Sequence, residues 1–214
     1  MIGAMLRNVF RSAVAASVAL FTCTAFAQAP HAQDPGPPPL TFRIEAIVEG
    51  VSPATGLADT VYGMTAYVGA ERTRVDLDMP GTEGVYLLVD NATGVGWAIG
   101  KEQDAAMPVN ADAYRELVLD PQAPCAGMRA RCQPIGQRDI AGIRAQGVRY
   151  SGARAAGPGG SDRGQVWIDP ASGLVLGYDG RTRDRQVRRM RATDVQRQAL
   201  PDALFELPAA LGHN

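Results

Sequence analysis

Nucleophilic and metal-dependent chemistry need groups that this chain barely carries. Its two histidines, His31 and His213, lie in terminal segments, and its three cysteines are Cys23, Cys125 and Cys132. A serine or cysteine hydrolase sets its nucleophile beside a base, usually His. No histidine falls within the patterned part of the sequence, and no Gly-x-Ser-x-Gly elbow occurs. A zinc site draws on His and thiolate at ligand spacing, which the sequence does not offer. Asp76 and Asp78 are the carboxylate pair with the best spacing for acid–base work. Two apart on an alternating strand, they share its polar, solvated face, a setting for solubility rather than catalysis. The stretch Gly157 to Gly164 is glycine-rich, but no Lys follows it and it opens no helix, so it fails as a phosphate cradle and reads as a hairpin loop. No catalytic residue, metal or cofactor is expected.

What remains is recognition. The densest charge feature is Arg181, Arg183, Arg185, Arg188, Arg189 and Arg191, interrupted only by the acid Asp184. The planar guanidinium fork suits carboxylates and phosphates, which makes Arg185, Arg188, Arg189 and Arg191 candidates for contact with an anionic headgroup or an acidic partner. The plainer account is a solvated strand whose arginine stems cover apolar surface. Trp97 and Trp167 fall in different hairpins, where each fills the core or lines a groove. Asn91-Ala92-Thr93 matches a glycosylation acceptor but lies in a turn.

The elements that must position these residues come from an ordinary globular composition. The chain has 214 residues, 46% hydrophobic and 20% charged, enough for one sizeable core. A formal charge of -1 lacks the basic excess of a nucleic-acid binder. Lys101 is the only lysine, so the positive charge is almost wholly arginine. Residues 1–27 read as a signal peptide: Arg7 and Arg11, an apolar run from Ala13 to Phe21, and a small-x-small site at Ala25-Phe26-Ala27. Cys23 follows Thr22 rather than a small Gly or Ala, which argues against lipid attachment. No other stretch approaches the roughly 20 apolar residues of a membrane helix. A periplasmic protein is expected, and export leaves Cys125 and Cys132 as an even pair in an oxidising compartment. They are spaced too widely for a Cys-x-x-Cys redox motif, so a structural disulfide is expected. Residues 28–40 form a proline-rich linker, and residues 41–211 a single domain.

From Thr41 onward the pattern has a period of two, broken by Gly, Pro, Asn and Asp turns about every ten residues. Strands are expected at Thr41 to Glu49, Tyr62 to Val68, Arg72 to Met79, Val85 to Val89, Val95 to Ile99, Arg144 to Ser151, Gln165 to Ile168, Leu174 to Tyr178 and Gln186 to Val195. In the third, Thr73, Val75, Leu77 and Met79 share a face while Arg72, Arg74, Asp76 and Asp78 share the other. Ala111 to Leu119 is the one expected helix, with Asn110 as N-cap and Pro121 beyond its end. Asp120 to Gln137, with both cysteines and three prolines, reads as an excursion pinned by its disulfide.

Gln165-Val166-Trp167-Ile168-Asp169-Pro170-Ala171-Ser172-Gly173-Leu174 resembles the Trp-x-Asp-x-x-(Thr/Ser)-Gly-Leu hairpin of the periplasmic lipoprotein-carrier superfamily, the LolA-like and RseB-like proteins. Pro201-Asp202-Ala203-Leu204-Phe205-Glu206-Leu207-Pro208 resembles the close of an uncharacterised domain family related to it. The resemblance implies a mainly β fold: a curved antiparallel sheet, an open half-barrel, here with about ten strands and one or two short helices. It further implies a non-enzymatic module that holds a lipid or a lipoprotein's acyl chain on the concave apolar face, with Val75, Leu77, Met79, Trp97 and Trp167 as lining. The alternative it offers is a stress-sensing module of RseB-like type that contacts an envelope protein. A turn and a terminal staple carry fold more surely than function.

Overall fold

The computed structural model describes residues 41–50, 60–100, 106–110 and 117–208. Among them are eleven strands: β1 (Phe42–Gly50), β2 (Thr60–Val68), β3 (Arg72–Asp78), β4 (Tyr86–Asp90), β5 (Val95–Ile99), β6 (Ala106–Asn110), β7 (Arg131–Ile140), β8 (Ile143–Ser151), β9 (Arg163–Ile168), β10 (Val175–Arg181) and β11 (Val187–Arg197). They form one antiparallel sheet in the order β6-β5-β4-β3-β2-β1-β11-β10-β9-β8-β7. The sheet does not close, because β6 and β7 are its two edges.

The mainly β expectation holds, and all nine strands read from the alternation are present with ends shifted by a few residues. Two more were not expected. β6 and β7 are edge strands that carry Pro108 and Pro134, and β7 is exposed along nearly its whole length. An edge strand tolerates proline and buries little, so it leaves no periodic signature. The excursion expected over Asp120 to Gln137 is therefore corrected: from Arg131 it is sheet. The expected helix falls mostly outside the described residues, and its last three, Leu117 to Leu119, form a turn and an isolated bridge from Val118 to Leu174. The only helical pieces among the described residues are 3-10 turns at Pro158–Gly160 and Asp202–Phe205. The signal and linker segments lie outside the described residues.

Register sorts the side chains into two faces. Ile44 faces Ala66 and Val195, Ala66 faces Val75, and Val75 faces Leu87, so these residues share the inner face. Ile44, Ala66, Val75, Val89 and Val166 are all 0% exposed. Burying a large aliphatic side chain stabilises by about 1.5–3 kcal/mol, so this face dominates the stability. One contiguous core reaches from Leu87 and Val89 on one arm to Val148 and Tyr150 on the other. Eleven strands at about 4.8 Å would spread over about 50 Å if flat, so a shared core requires the sheet to curl around it.

The chain fills that curl itself. Between edge strands β6 and β7 it crosses the inner face, burying Leu117, Leu119, Cys125 and Met128 there. The Leu119 amide donates to the Gly173 carbonyl and the Val175 amide to the Leu117 carbonyl, both bonds within 2.9 Å. Cys125 and Cys132 form a disulfide at the start of β7. The hairpin motif is the dock for this crossing. Asp169, 6% exposed, accepts from the Ala171 amide at 3.0 Å and the Ser172 hydroxyl at 2.6 Å, closing the turn. Gly173 then sits at a φ of 76° with its α-carbon against the crossing segment.

A Cβ on Gly173 would lie 1.9 Å from the Leu119 carbonyl oxygen, a backbone atom, in a conformation L-residues resist. Gly173→Ala is therefore expected to destabilise the fold by about 2–4 kcal/mol in urea unfolding. Gly127→Ala, where a Cβ meets nothing within 4 Å, is expected to stay within about 0.5 kcal/mol of the parent.

Candidate functional site

The outer face carries a small apolar cluster of Tyr86, Leu88 and Ile99 on the short strands and becomes a groove over β1, β2 and β8 to β11. Two rows of residues, read across the strands, build it. In one, Trp167 lies between Gly147 and Gly177, followed by Arg191, Ile47 and Gly63. In the other, Gln165 is followed by Asp179, Arg189, Glu49 and Val61. The cavity along them has a volume of about 520 Å³, within the usual range of about 300–1,000 Å³ for binding clefts.

Each anchor has a local cause. Glycines flank Trp167 because the indole lies flat on the sheet: a Cβ at Gly147 would come within 2.9 Å of its Nε1. From the curled edge strand β7, Arg138 places its guanidinium 3.4 Å from the Trp167 ring centroid, and Gly177 leaves the room it needs. Burial, together with the neighbouring Arg191 charge, lowers the Arg138 pKa, with Asp179 opposing; the group stays cationic. Arg189 bridges the second row, donating from Nη1 to Glu49 and from Nε to Asp179, both at 3.0 Å. Those hydrogen bonds raise its pKa, Glu49 contributing most. Beneath the groove on the inner face, burial drives the Tyr178 phenol well above its ordinary pKa. At the rim Ile47 and Val61 remain 54% and 64% exposed. The groove offers an aromatic platform, two apolar side chains and both signs of charge. Among the described residues no cluster of three or more His, Cys, Asp or Glu is placed to hold a metal.

The structure brings together Trp167, Arg189 and Arg191 from the sequence candidates and leaves the others elsewhere. Val75, Leu77 and Met79 are buried in the inner core at 0%, 8% and 9% exposure. Trp97 lies on the outer face of the opposite arm, packed against the cluster of Tyr86, Leu88 and Ile99 that Phe205 and Leu207 also cover. Hence the two tryptophans do not share a surface with Val75, Leu77 and Met79. Arg188 lays its stem against Gly50 and donates to the Val187 carbonyl and to Gln186, each at 2.8 Å. Arg185 occupies the β10–β11 turn at a φ of 67°.

Arg138, Ile47, Val61, Glu49 and Asp179 were not among the candidates. Ile47 and Val61 did leave a signal, being apolar residues on the solvent parity of their strands. Arg138 left none, because β7 was not legible as a strand.

No protein-family model matches the sequence, and no curated protein matches it. Among solved structures, the chain is similar to an uncharacterized conserved protein from Thermus thermophilus, at 12% identity and a TM-score of 0.49, over 79% of this chain and 86% of that one. It is similar to MucB in the MucA/MucB complex of Pseudomonas aeruginosa at 14% identity and a TM-score of 0.45, over 77% of this chain and 55% of that one. A LolA superfamily protein from Nitrosomonas europaea follows at 13% identity and a TM-score of 0.38, covering 78% of this chain and 90% of that one. The chain thus spans little more than half the length of MucB. At such identities the likeness concerns the fold alone.

Uncovering Trp167 tests the platform. In a Trp97→Phe background, Arg138→Ala is expected to shift the remaining tryptophan emission to the red and increase its quenching by acrylamide. The accompanying loss of stability is expected to be about 0.5–1 kcal/mol, the worth of an exposed cation–π contact.

Proposed function

We propose that this chain is a non-enzymatic binding and interaction module of the cell envelope, and that it engages a partner protein over the outer groove. The observation that supports this reading most directly is that one groove holds the exposed Ile47 and Val61 at its rim and, three strands away across Gly177 and Arg191, the half-buried Trp167. Exposed apolar side chains, an aromatic anchor and charge of both signs together have the makeup of a protein interface. The inner face, by contrast, is already occupied by the chain's own side chains. An envelope location draws support from the signal-like N-terminus and from the disulfide, which persists in oxidising compartments. In the same reading residues 1–27 are removed, 28–40 form a proline-rich extended spacer, and 41–211 fold as one domain.

A second reading, an acyl chain held against the inner face, draws on one feature. A void of about 330 Å³ at the end of β1 and β2 is lined by Phe42, Val68 and the 44%-exposed Val118. A longer chain would have to displace the crossing segment, which Gly173 holds by backbone hydrogen bonds.

A photo-crosslinking residue at position 61 in intact cells is expected to yield a discrete adduct with one envelope protein, while the same residue at Met107, 67% exposed on β6, yields none. Trp167→Ala is expected to abolish the adduct at position 61. Equal adducts at both sites, or none at either, would sink the proposal. Phospholipid or fatty acid carried by the purified protein in native mass spectrometry, and lost on widening Gly173, would favour the acyl-chain reading instead.

A further inference from the structure

The groove does not stop at Gln165 and Asp179. These two residues also belong to a second concavity of about 850 Å³ over β7 to β10, and its lining is basic. Register explains why. Arg131 faces Ser151, Ser151 faces Arg163, and Arg163 faces Arg181 in one row. In the adjoining row Gln133 faces Arg149 and Arg149 faces Gln165. Four arginines from four strands thus meet on one patch although 18, 14 and 18 residues separate them along the chain. A further concavity of about 510 Å³ shares Arg131, Ser151 and Arg163 and adds Arg129, Arg154 and Arg183.

Of these seven arginines, only Arg183 has an ion pair among the described residues, to Asp162 at 3.7 Å. The acid inside the trough, Asp179, is held by Arg189 from the neighbouring groove. Arg163 and Arg181 are direct cross-strand partners with no carboxylate between them, an arrangement that opposes folding. A chain that keeps such a pair on an exposed face leaves a field that a bound anion relieves.

We propose that this trough receives an extended, acidic segment of the partner polypeptide, the inference resting on the reading of the adjoining groove as a protein interface. Two observations favour a polypeptide over a lipid surface or a phosphate. The lining contains no exposed large apolar side chain to anchor in a bilayer, since those among the described residues, Ile47, Val61, Val95, Met107 and Val118, all lie outside it. Gln133, Ser151 and Gln165 interleave with the arginines, and their groups both donate and accept, which matches peptide amides, whereas phosphate oxygens only accept. The dimensions agree. Strands about 4.8 Å apart put Arg131 and Arg181 about 14 Å from each other, the length of about four extended residues, whose same-side carboxylates recur every ~6.8 Å.

The test uses the exported chain with a fluorescein-labelled glutamate-rich decapeptide, read by anisotropy at low and at near-physiological salt. Binding is expected to weaken with salt, and Arg163→Gln with Arg181→Gln is expected to weaken it about tenfold or more. Thermal stability should hold or rise, because the substitutions remove a repulsive pair; Arg149→Gln alone supplies a second variant. Absence of peptide binding at low salt, or binding indifferent to these substitutions, overturns the inference. So does arginine-dependent binding of tripolyphosphate or of phosphatidylglycerol vesicles that exceeds binding of the peptide. If the adduct at position 61 persists at full yield in the double variant, the acidic-segment inference falls while the groove reading stands. If the peptide binds as expected but position 61 gives no adduct, the groove reading falls and the trough's preference for acidic peptide stands.

Discussion

Everything in this sheet hangs on the pairing of its first strand with its last. β1 runs antiparallel to β11 from Phe42 opposite Arg197 to Glu49 opposite Arg189. The pairing continues across one bulge, where Thr193 is the extra residue and donates its hydroxyl to the Glu45 carbonyl. With the termini of the domain joined at the centre, the remaining strands can only fan outward as two arms of hairpins. The chain must then pass from one far edge to the other, and Leu117, Leu119, Cys125 and Met128 of that passage pack in the inner core. A single sheet has one apolar face with no second layer to cover it. The crossing segment supplies part of that cover, and the curl of the sheet supplies the rest. The disulfide closing the short Cys125–Cys132 loop adds roughly 2–3 kcal/mol on the chain-entropy account, enough to fix a local loop at the trailing end of the crossing.

This arrangement sorts the side chains of the two faces. Leu117, Leu119 and Met128 pack within the inner core, while the aromatic and charged groups of the groove stand on the outer face. There the register, not the local sequence, chooses the neighbours. Trp167 and Arg191 come from hairpin positions 24 residues apart, and Ile47 comes from the opposite end of the domain. Glycine supplies the floor: Gly147, Gly177 and Gly63 occupy the same row as the indole and the guanidinium. Their lack of a Cβ lets flat side chains lie down instead of standing off the sheet.

Much of the fold was legible in the sequence because half-buried strands advertise themselves. Val75, Leu77 and Met79 alternate with charged residues, and that alternation is the burial pattern observed for β3. The same pattern says which side chains share a face but not whether that face is open. Val75, Leu77 and Met79, read as lining a ligand trough, are buried in the core. Edge strands escaped notice for the converse reason: with little burial, β6 and β7 had no need of alternation. The site was legible only in fragments. Trp167, Arg189 and Arg191 stood out by type, whereas Arg138 partners Trp167 only because an unread strand curls back over the sheet. The local arginine run from Arg181 to Arg191 drew attention to itself, yet its members disperse to a turn, to the inner margin and to two different grooves.

A near-zero total charge conceals a division of labour between the arms. On the outer face of the β1–β5 arm, two cations are neutralised on their own strands: Arg43 binds Glu45, and Arg74 binds Asp76 at 2.9 Å while covering the Tyr86 ring at 3.9 Å. These are i,i+2 pairs, which a strand places on one face without help from the fold. On the β7–β10 arm the same spacing offers one acid, Asp179 two residues before Arg181, and its ion pair is with Arg189 of the neighbouring groove. Arg131 is followed two residues on by Gln133, Arg149 by Ser151, and Arg163 by Gln165, so each cation meets a neutral hydrogen-bonding neighbour along its strand and another arginine or a neutral polar side chain across it. The first pattern completes itself within the chain and projects little field beyond its surface. The second is incomplete, and its missing element is negative charge at the spacing of a strand pair. That asymmetry leaves one arm's outer face close to neutral and the other's with positive charge that the chain does not balance.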